Sequence, residues 1–160
     1  MVTLRVLSTN DWLLWRQARL ASLTEAPYAF TSRREDWEHG GERRWRARLA
    51  LPDAHNVVAV LDGRAVGLAA GMTGEGGVRQ LRSVWVGPAV RGRGVGDRLV
   101  AAVGSWARRT GGTSLELAVL PGNDAAVALY RRHGFVATGE PGALLADGVS
   151  RELLMAKPLN

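Results

Sequence analysis

A chain of 160 residues, 46% hydrophobic and 22% charged, is long enough to close one hydrophobic core and has the profile of an ordinary globular protein. It holds no cysteine, which excludes a disulfide framework, a zinc–thiolate site, a thiol nucleophile and a covalent acyl-thiol carrier. The net charge of +6 and pI of about 11.1 come almost wholly from arginine, Lys157 being the only lysine; this fits either a compositional bias or an anionic partner, and the scatter of the arginines among apolar positions speaks against nucleic acid. His39, His55 and His133 stand too far apart for metal-ligand spacing, and no signal peptide or transmembrane run is visible, so a metal-free protein off the membrane and in the cytoplasm is expected.

In chain order, residues 3–7 read as a short strand. Asn10 and Asp11 are cap-type residues before a helix over 12–23, with Leu14, Ala18 and Ala21 as its buried stripe and Pro27 as its stop. Ser32 and Glu35 have capping-box spacing, Gly40 and Gly41 break the helix they open, and 42–51 is helical again, with Trp45 and Leu49 one turn apart. The period then changes. Residues 55–61 and 64–72 are strands joined by the hairpin signal Asp62-Gly63, and a glycine-rich turn over 73–77 leads to a third strand, 78–86, alternating through Arg79, Leu81, Ser83 and Trp85. A helix over 95–109 stops at Gly111-Gly112, followed by a strand over 115–120, a short helix from Asn123 to Gly134, and a closing strand pair at 135–139 and 152–156. The order β-αα-βββ-α-β-α-ββ predicts a single α/β (α+β type) domain over 1–160. Its sheet should be mixed and mostly antiparallel, flanked by helices, with one parallel pair joined by the central helix.

The stretch from Val84 to Leu99 runs from a strand through a glycine-rich turn into a helix. Such a turn aims several backbone N–H groups at one point, and the helix start adds free donors and a positive dipole end, which together suit phosphate oxygens. Arg91, Arg93 and Arg98 add charge. The Walker pattern is missing, and the dinucleotide pattern fails because Asp97 stands where its last glycine should be. The pattern that fits is Arg-x-x-Gly-x-Gly at Arg91, Gly94 and Gly96, which resembles the pyrophosphate loop of the GNAT superfamily of N-acetyltransferases. A second signature resembles the same superfamily: Asn123, Ala126, Leu129, Tyr130, Gly134 and Phe135 fit Asn-x-x-Ala-x-x-Leu-Tyr-x-x-x-Gly-Phe.

The resemblance spans essentially the whole chain and implies a GNAT fold and transfer of an acetyl group from acetyl-CoA to an amine in a direct ternary complex, by a monomer or homodimer. It implies pantetheine contacts at Val84, Trp85 and Val86, with a backbone N–H, that of Val86, facing the thioester carbonyl. Diphosphate contacts fall on Arg91, Gly92, Arg93, Gly94, Val95, Gly96 and Asp97. Asn123 is a natural N-cap and, by resemblance, also touches the cofactor arm. Tyr130, two turns on, becomes the general acid for the departing thiolate, a phenol near pKa 10 matching that acceptor. Members that acetylate protein N-termini often carry a glutamate five residues before the motif asparagine, where this chain has Ala118. The base is then either Glu116, two residues earlier on the same strand face, or a water relay. The acceptor should meet the opening helices and the 73–77 turn, with Tyr28, Phe30, Glu35, Asp36 and Trp37 nearby. A small amine is the leading acceptor, a protein N-terminus or lysine the alternative, and a non-catalytic acyl-CoA sensor the reading from another class.

Overall fold

The computed structural model describes residues 1–26, 34 and 41–159. The Ser32–Glu35 capping box, the stop at Pro27 and the aromatic and acidic residues at 28–37 proposed to meet the acceptor lie outside the described residues. So does the expected helix break at Gly40.

The elements follow the expected order: β1 (Thr3–Val6), α1 (Trp12–Glu25), α2 (Glu42–Leu49), β2 (Ala54–Leu61), β3 (Arg64–Thr73), β4 (Val78–Val86), α3 (Val95–Arg109), β5 (Ser114–Val119), α4 (Asp124–Arg132), β6 (Val136–Leu144) and β7 (Arg151–Pro158). The seven strands form one sheet, ordered β1-β2-β3-β4-β5-β7-β6. Every neighbouring pair is antiparallel except β4–β5, which is parallel.

Side chains alternate across a strand, so adjacent residues enter different layers. Val57 joins the core under α3 and α4, with Leu99, Val103, Leu115, Phe135 and Met155, whereas Val58 joins the core under α1 and α2, with Trp15, Trp45, Leu68 and Trp85. The Asp62-Gly63 signal is realised as a turn with both residues left-handed (φ 51° and 76°), the geometry that suits the twist of a two-residue hairpin.

Two expectations need correction. Of the expected α1 stripe, Ala18 is fully buried, Leu14 and Ala21 sit partly buried at the edge of the core, and Trp15, Arg19, Leu20, Ser22 and Leu23 make up the rest of the buried face. Trp15 turns inward because its ring meets the Trp45 ring edge-on at 5.1 Å, and Ser22 can be buried because its hydroxyl donates to the Arg19 carbonyl at 2.7 Å. The closing strands are also longer than expected, because β6 continues past Pro141. It is an edge strand with register shifts on both sides of Pro141, the setting in which a residue without an N–H is tolerated.

Candidate active site

The parallel pairing of β4 with β5 has only the rungs Val78–Ser114, Arg79–Leu115 and Gln80–Glu116. Beyond them the strands part, and a cavity of about 600 Å³ occupies the opening. The cause lies in β4. Leu68 of β3 faces Trp85 and Ala70 faces Arg82, so Ser83 and Val84 together oppose Ala69, and Ser83 is left-handed at φ 59°. Such a bulge bends its strand and increases the local twist. It also exchanges the faces. Leu81 packs under α3, whereas Trp85, four residues on, packs under α1. The expected regular alternation through Arg79, Leu81, Ser83 and Trp85 is therefore broken at Ser83. Val84 and Val86 come to lie against the α3 side, and Val84 lines the cavity.

Beyond the bulge, the main chain of β4 serves the opening. Gly87 N–H donates to Val66 O at 2.7 Å, and Val86 stands opposite Gly67. In an antiparallel ladder this makes Gly67–Val86 a non-hydrogen-bonded pair, so the Val86 N–H and C=O point away from β3, toward the gap. The Val86 carbonyl accepts from Arg91 Nε at 3.0 Å.

The turn that follows is pinned at both ends by fully buried side chains, Val90 before it and Val95 and Leu99 after it. Gly92 and Gly94 are left-handed (φ 76° and 75°), and a Cβ at either would meet nothing within 4 Å. The turn thus faces open space. No hydrogen bond among the described residues takes the N–H groups of Gly92 to Asp97. These donors, the start of α3 and the exposed Arg93, which has no ion pair among the described residues, make a cradle that fits a diphosphate. Gly96 has another task. A Cβ there would lie 3.2 Å from Leu129 Cδ2 and 3.4 Å from Val86 Cγ2, so its smallness lets α3 approach α4 and β4.

Two of the expected phosphate ligands turn elsewhere. The Arg91 guanidinium pairs with Glu25, whose carboxylate also accepts from Trp85 Nε1 at 3.0 Å. The Asp97 carboxylate accepts from His133 Nε2 at 2.9 Å and faces Arg132 at 3.3 Å; the His133 hydrogen bond foremost holds it below the usual carboxylate range. A carboxylate aimed at a diphosphate would repel it, so only the Asp97 N–H suits the cradle. Glu25 escaped the sequence reading, although a carboxylate in the last turn of a helix opposes the dipole and so signals a partner elsewhere.

Across the gap, Asn123 caps α4, its side chain accepting from Ala126 N–H at 3.4 Å, and it also lines the cavity. Tyr130 is 7% exposed and reaches the cavity from α4, its ring meeting Phe135 edge-on at 5.9 Å. Its hydroxyl has no hydrogen-bond partner among the described residues, and burial pushes it up to about 12. Glu116 and Ala118 both line the cavity, Glu116 at the last rung before the strands part. The 73–77 turn does not line it. That turn lies at the other end of β4, closed by Gly74 N–H to Val78 O and joined to Thr113. Arg19, Arg82, Glu140 and Glu152, which the sequence reading did not single out, do line it. Among the described residues no group of three His, Asp or Glu side chains could hold a metal, and no helix is long and apolar enough to cross a membrane.

A sheet that splays beside a glycine-rich turn, with a buried tyrosine opposite, is the candidate site of this chain, and its class follows from the likeness of the chain to known acyltransferases. Residues 17–135 match the acetyltransferase (GNAT) family. An IAA acetyltransferase from Azospirillum brasilense is 36% identical over 112 residues, 69% of this chain and 72% of the relative. The N-alpha-acetyltransferase RimI of Mycobacterium tuberculosis is 39% identical over 95 residues, 57% of this chain and 58% of that protein. Among solved structures, a GNAT-family acetyltransferase from Streptococcus pneumoniae superposes over 100% of both chains with a TM-score of 0.80 at 23% identity, a likeness of fold. The chain belongs to the GNAT family of acetyltransferases.

Proposed function

We propose that this acetyltransferase moves an acetyl group from acetyl-CoA to the nitrogen of a small-molecule amine, directly and without a metal, as a single-domain monomer or homodimer in the cytoplasm. The observation that carries the reading is Tyr130, a buried side chain that lines the cavity with no hydrogen-bond partner for its hydroxyl among the described residues. Tyr130 shares the cavity with Val84, and two residues on, the Val86 N–H points away from β3 on the side of β4 that faces β5. Bound acetyl-CoA supplies the activated acyl carbon and a thiolate leaving group.

The chain's own residues do the rest. The cradle and Arg93 hold the diphosphate, and the free edge of β4 at Val84–Val86 aligns the arm as an added strand would. Val86 N–H donates toward the carbonyl oxygen as negative charge grows there. Glu116, or a water at the same apex of the gap, takes the proton that the ammonium must lose. Tyr130 gives its proton to sulfur. The expected match near 10 is displaced by burial, yet the hydroxyl keeps its proton throughout the neutral range.

A second acceptor, a protein N-terminus, is favoured by the likeness to RimI; Ala118 on the cavity wall, where the family's protein-directed members often have glutamate, counts against it. Titration calorimetry in chelator should show acetyl-CoA binding, and release of coenzyme A across a panel of amines and short peptides should name the acceptor. No heat at millimolar acetyl-CoA overturns the reading, and release with peptides alone replaces the small amine.

A further inference from the structure

The two walls of the cavity carry opposite charge. On the β4 side stand Arg82, Arg19 from α1 and Arg48 from α2; on the other stand Glu116 of β5, Glu140 of β6 and Glu152 of β7. Among the described residues these are the ionic side chains of the lining, three of each sign, and no salt bridge joins one wall to the other. Arg82 is exposed and has no ion pair among the described residues, nor have the exposed Glu116 and Glu140 or the half-buried Glu152. Arg19 is held at 7% exposure, its Nη1 donating to Ser83 Oγ at 3.3 Å, so a second guanidinium is fixed next to the bulge from which Arg82 projects. Tyr130, also 7% exposed and without a hydrogen-bond partner among the described residues, lines the same cavity as Glu116.

From this arrangement, and resting on the N-acetyl transfer reading above, we infer that the acceptor is an amine that also carries a carboxylate, as an amino acid does. Its ammonium is drawn to the glutamate wall and its carboxylate is received by Arg82. A plain diamine would satisfy the glutamates but set its second cation against Arg82, and a neutral amine would leave Arg82 and the three glutamates without a counter-charge. Guanidinium forks bind carboxylates in two parallel hydrogen bonds, so Arg82 fixes orientation as well as charge. The reaction balances within this pair of substrates: the N–C bond forms and the C–S bond breaks, the ammonium loses one proton through Glu116 or water before attack, sulfur takes the Tyr130 proton, and the second proton shed by the new amide nitrogen restores Tyr130.

The test is coenzyme A release with leucine and phenylalanine, each as free acid, carboxamide and decarboxylated amine, on the wild-type chain and on Arg82→Gln and Arg82→Lys. The free acids should have at least tenfold higher kcat/KM than their amides. Arg82→Gln should erase that ratio through KM, and Arg82→Lys should restore part of it. Equal or better turnover of the carboxamides or decarboxylated amines overturns the inference and leaves the transfer reading standing. Acid preference that survives in Arg82→Gln overturns the role given to Arg82. No release with any of the six compounds, from a protein that binds acetyl-CoA, overturns the small-amine reading together with this inference.

Discussion

The two sides of the β4–β5 gap are built from different materials. On the β4 side the groups offered to the cofactor are main-chain donors, the Val86 N–H and the N–H groups from Gly92 to Asp97, which have no partner among the described residues, and Arg82 is the side chain that this strand adds for the acceptor. On the β5 side they are side chains: Glu116, Glu140, Glu152 and Tyr130. A backbone donor survives almost any substitution that preserves the turn, whereas a carboxylate vanishes with one. One site can thus keep its cofactor half while its acceptor half diverges, as expected of a family whose members act on different amines.

The sharpest break in the comparison is Tyr130→Phe, which keeps the ring against Phe135 and removes only the proton. Turnover should fall by roughly 10²-fold or more with coenzyme A affinity unchanged by calorimetry. Near-normal single-turnover rates would instead make water the donor. The pH dependence sharpens this test. Because burial raises Tyr130 to about 12, the stability it lends is present below its ordinary pKa near 10 and is lost as pH climbs from there toward 12. A log kcat profile should therefore show no fall from Tyr130 between pH 6 and 9. A limb in that range that vanishes in Tyr130→Phe would contradict the burial.

Next comes the backbone side. Gly94→Val forces a β-branched residue into φ 75°, a conformation costing at least 1–2 kcal/mol, and acetyl-CoA affinity should drop about tenfold or more in a protein that still melts cooperatively. Full affinity would mean that the turn does not need its left-handed glycine. Glu116→Gln tests the opposite side. At pH 7 kcat/KM should fall about tenfold, with water offering a parallel route. An unchanged kcat/KM assigns the proton to water alone. Gly96→Ala separates packing from phosphate binding within the turn. Its Cβ would press on the movable end of Leu129, so affinity should change by only about threefold, with a small loss of melting temperature. The smallest effect is expected of Asp97→Asn, whose partners lie at the solvent-exposed junction of α3 and α4. Stability should fall by about 0.5 kcal/mol above pH 5, and the difference from wild type should close as acid protonates the native carboxylate.

Most of the element order was legible because period, caps and turns are local. Asp62-Gly63 announces its hairpin, Gly111-Gly112 stops α3, and Asn123 caps α4 as its residue type predicts. The glycine spacing at Gly92, Gly94 and Gly96 was equally legible as a turn, but not the division of labour within it. Two of these glycines serve left-handed backbone, and the third serves contact with a side chain 33 residues away. Arg91 and Asp97 looked like ligands by position, yet each found a partner from a distant element, Glu25 and His133.

The sequence by itself determined the family and the strand, glycine-rich turn and helix that follow one another at 84–99, and it pointed to that turn and to Tyr130 as site residues, since these rest on residues whose spacing along the chain is their spacing on one helix or one turn. Tertiary structure alone decided where the strands part, which face Trp85 takes after the Ser83 bulge, and that arginines from α1, α2 and β4 look across one cavity at glutamates from β5, β6 and β7. The physical reason is that a bulge shifts the period of two by one residue, reversing every face beyond it. Charges more than 50 residues apart, such as Arg82 and Glu140, share a field only when a sheet brings their strands together.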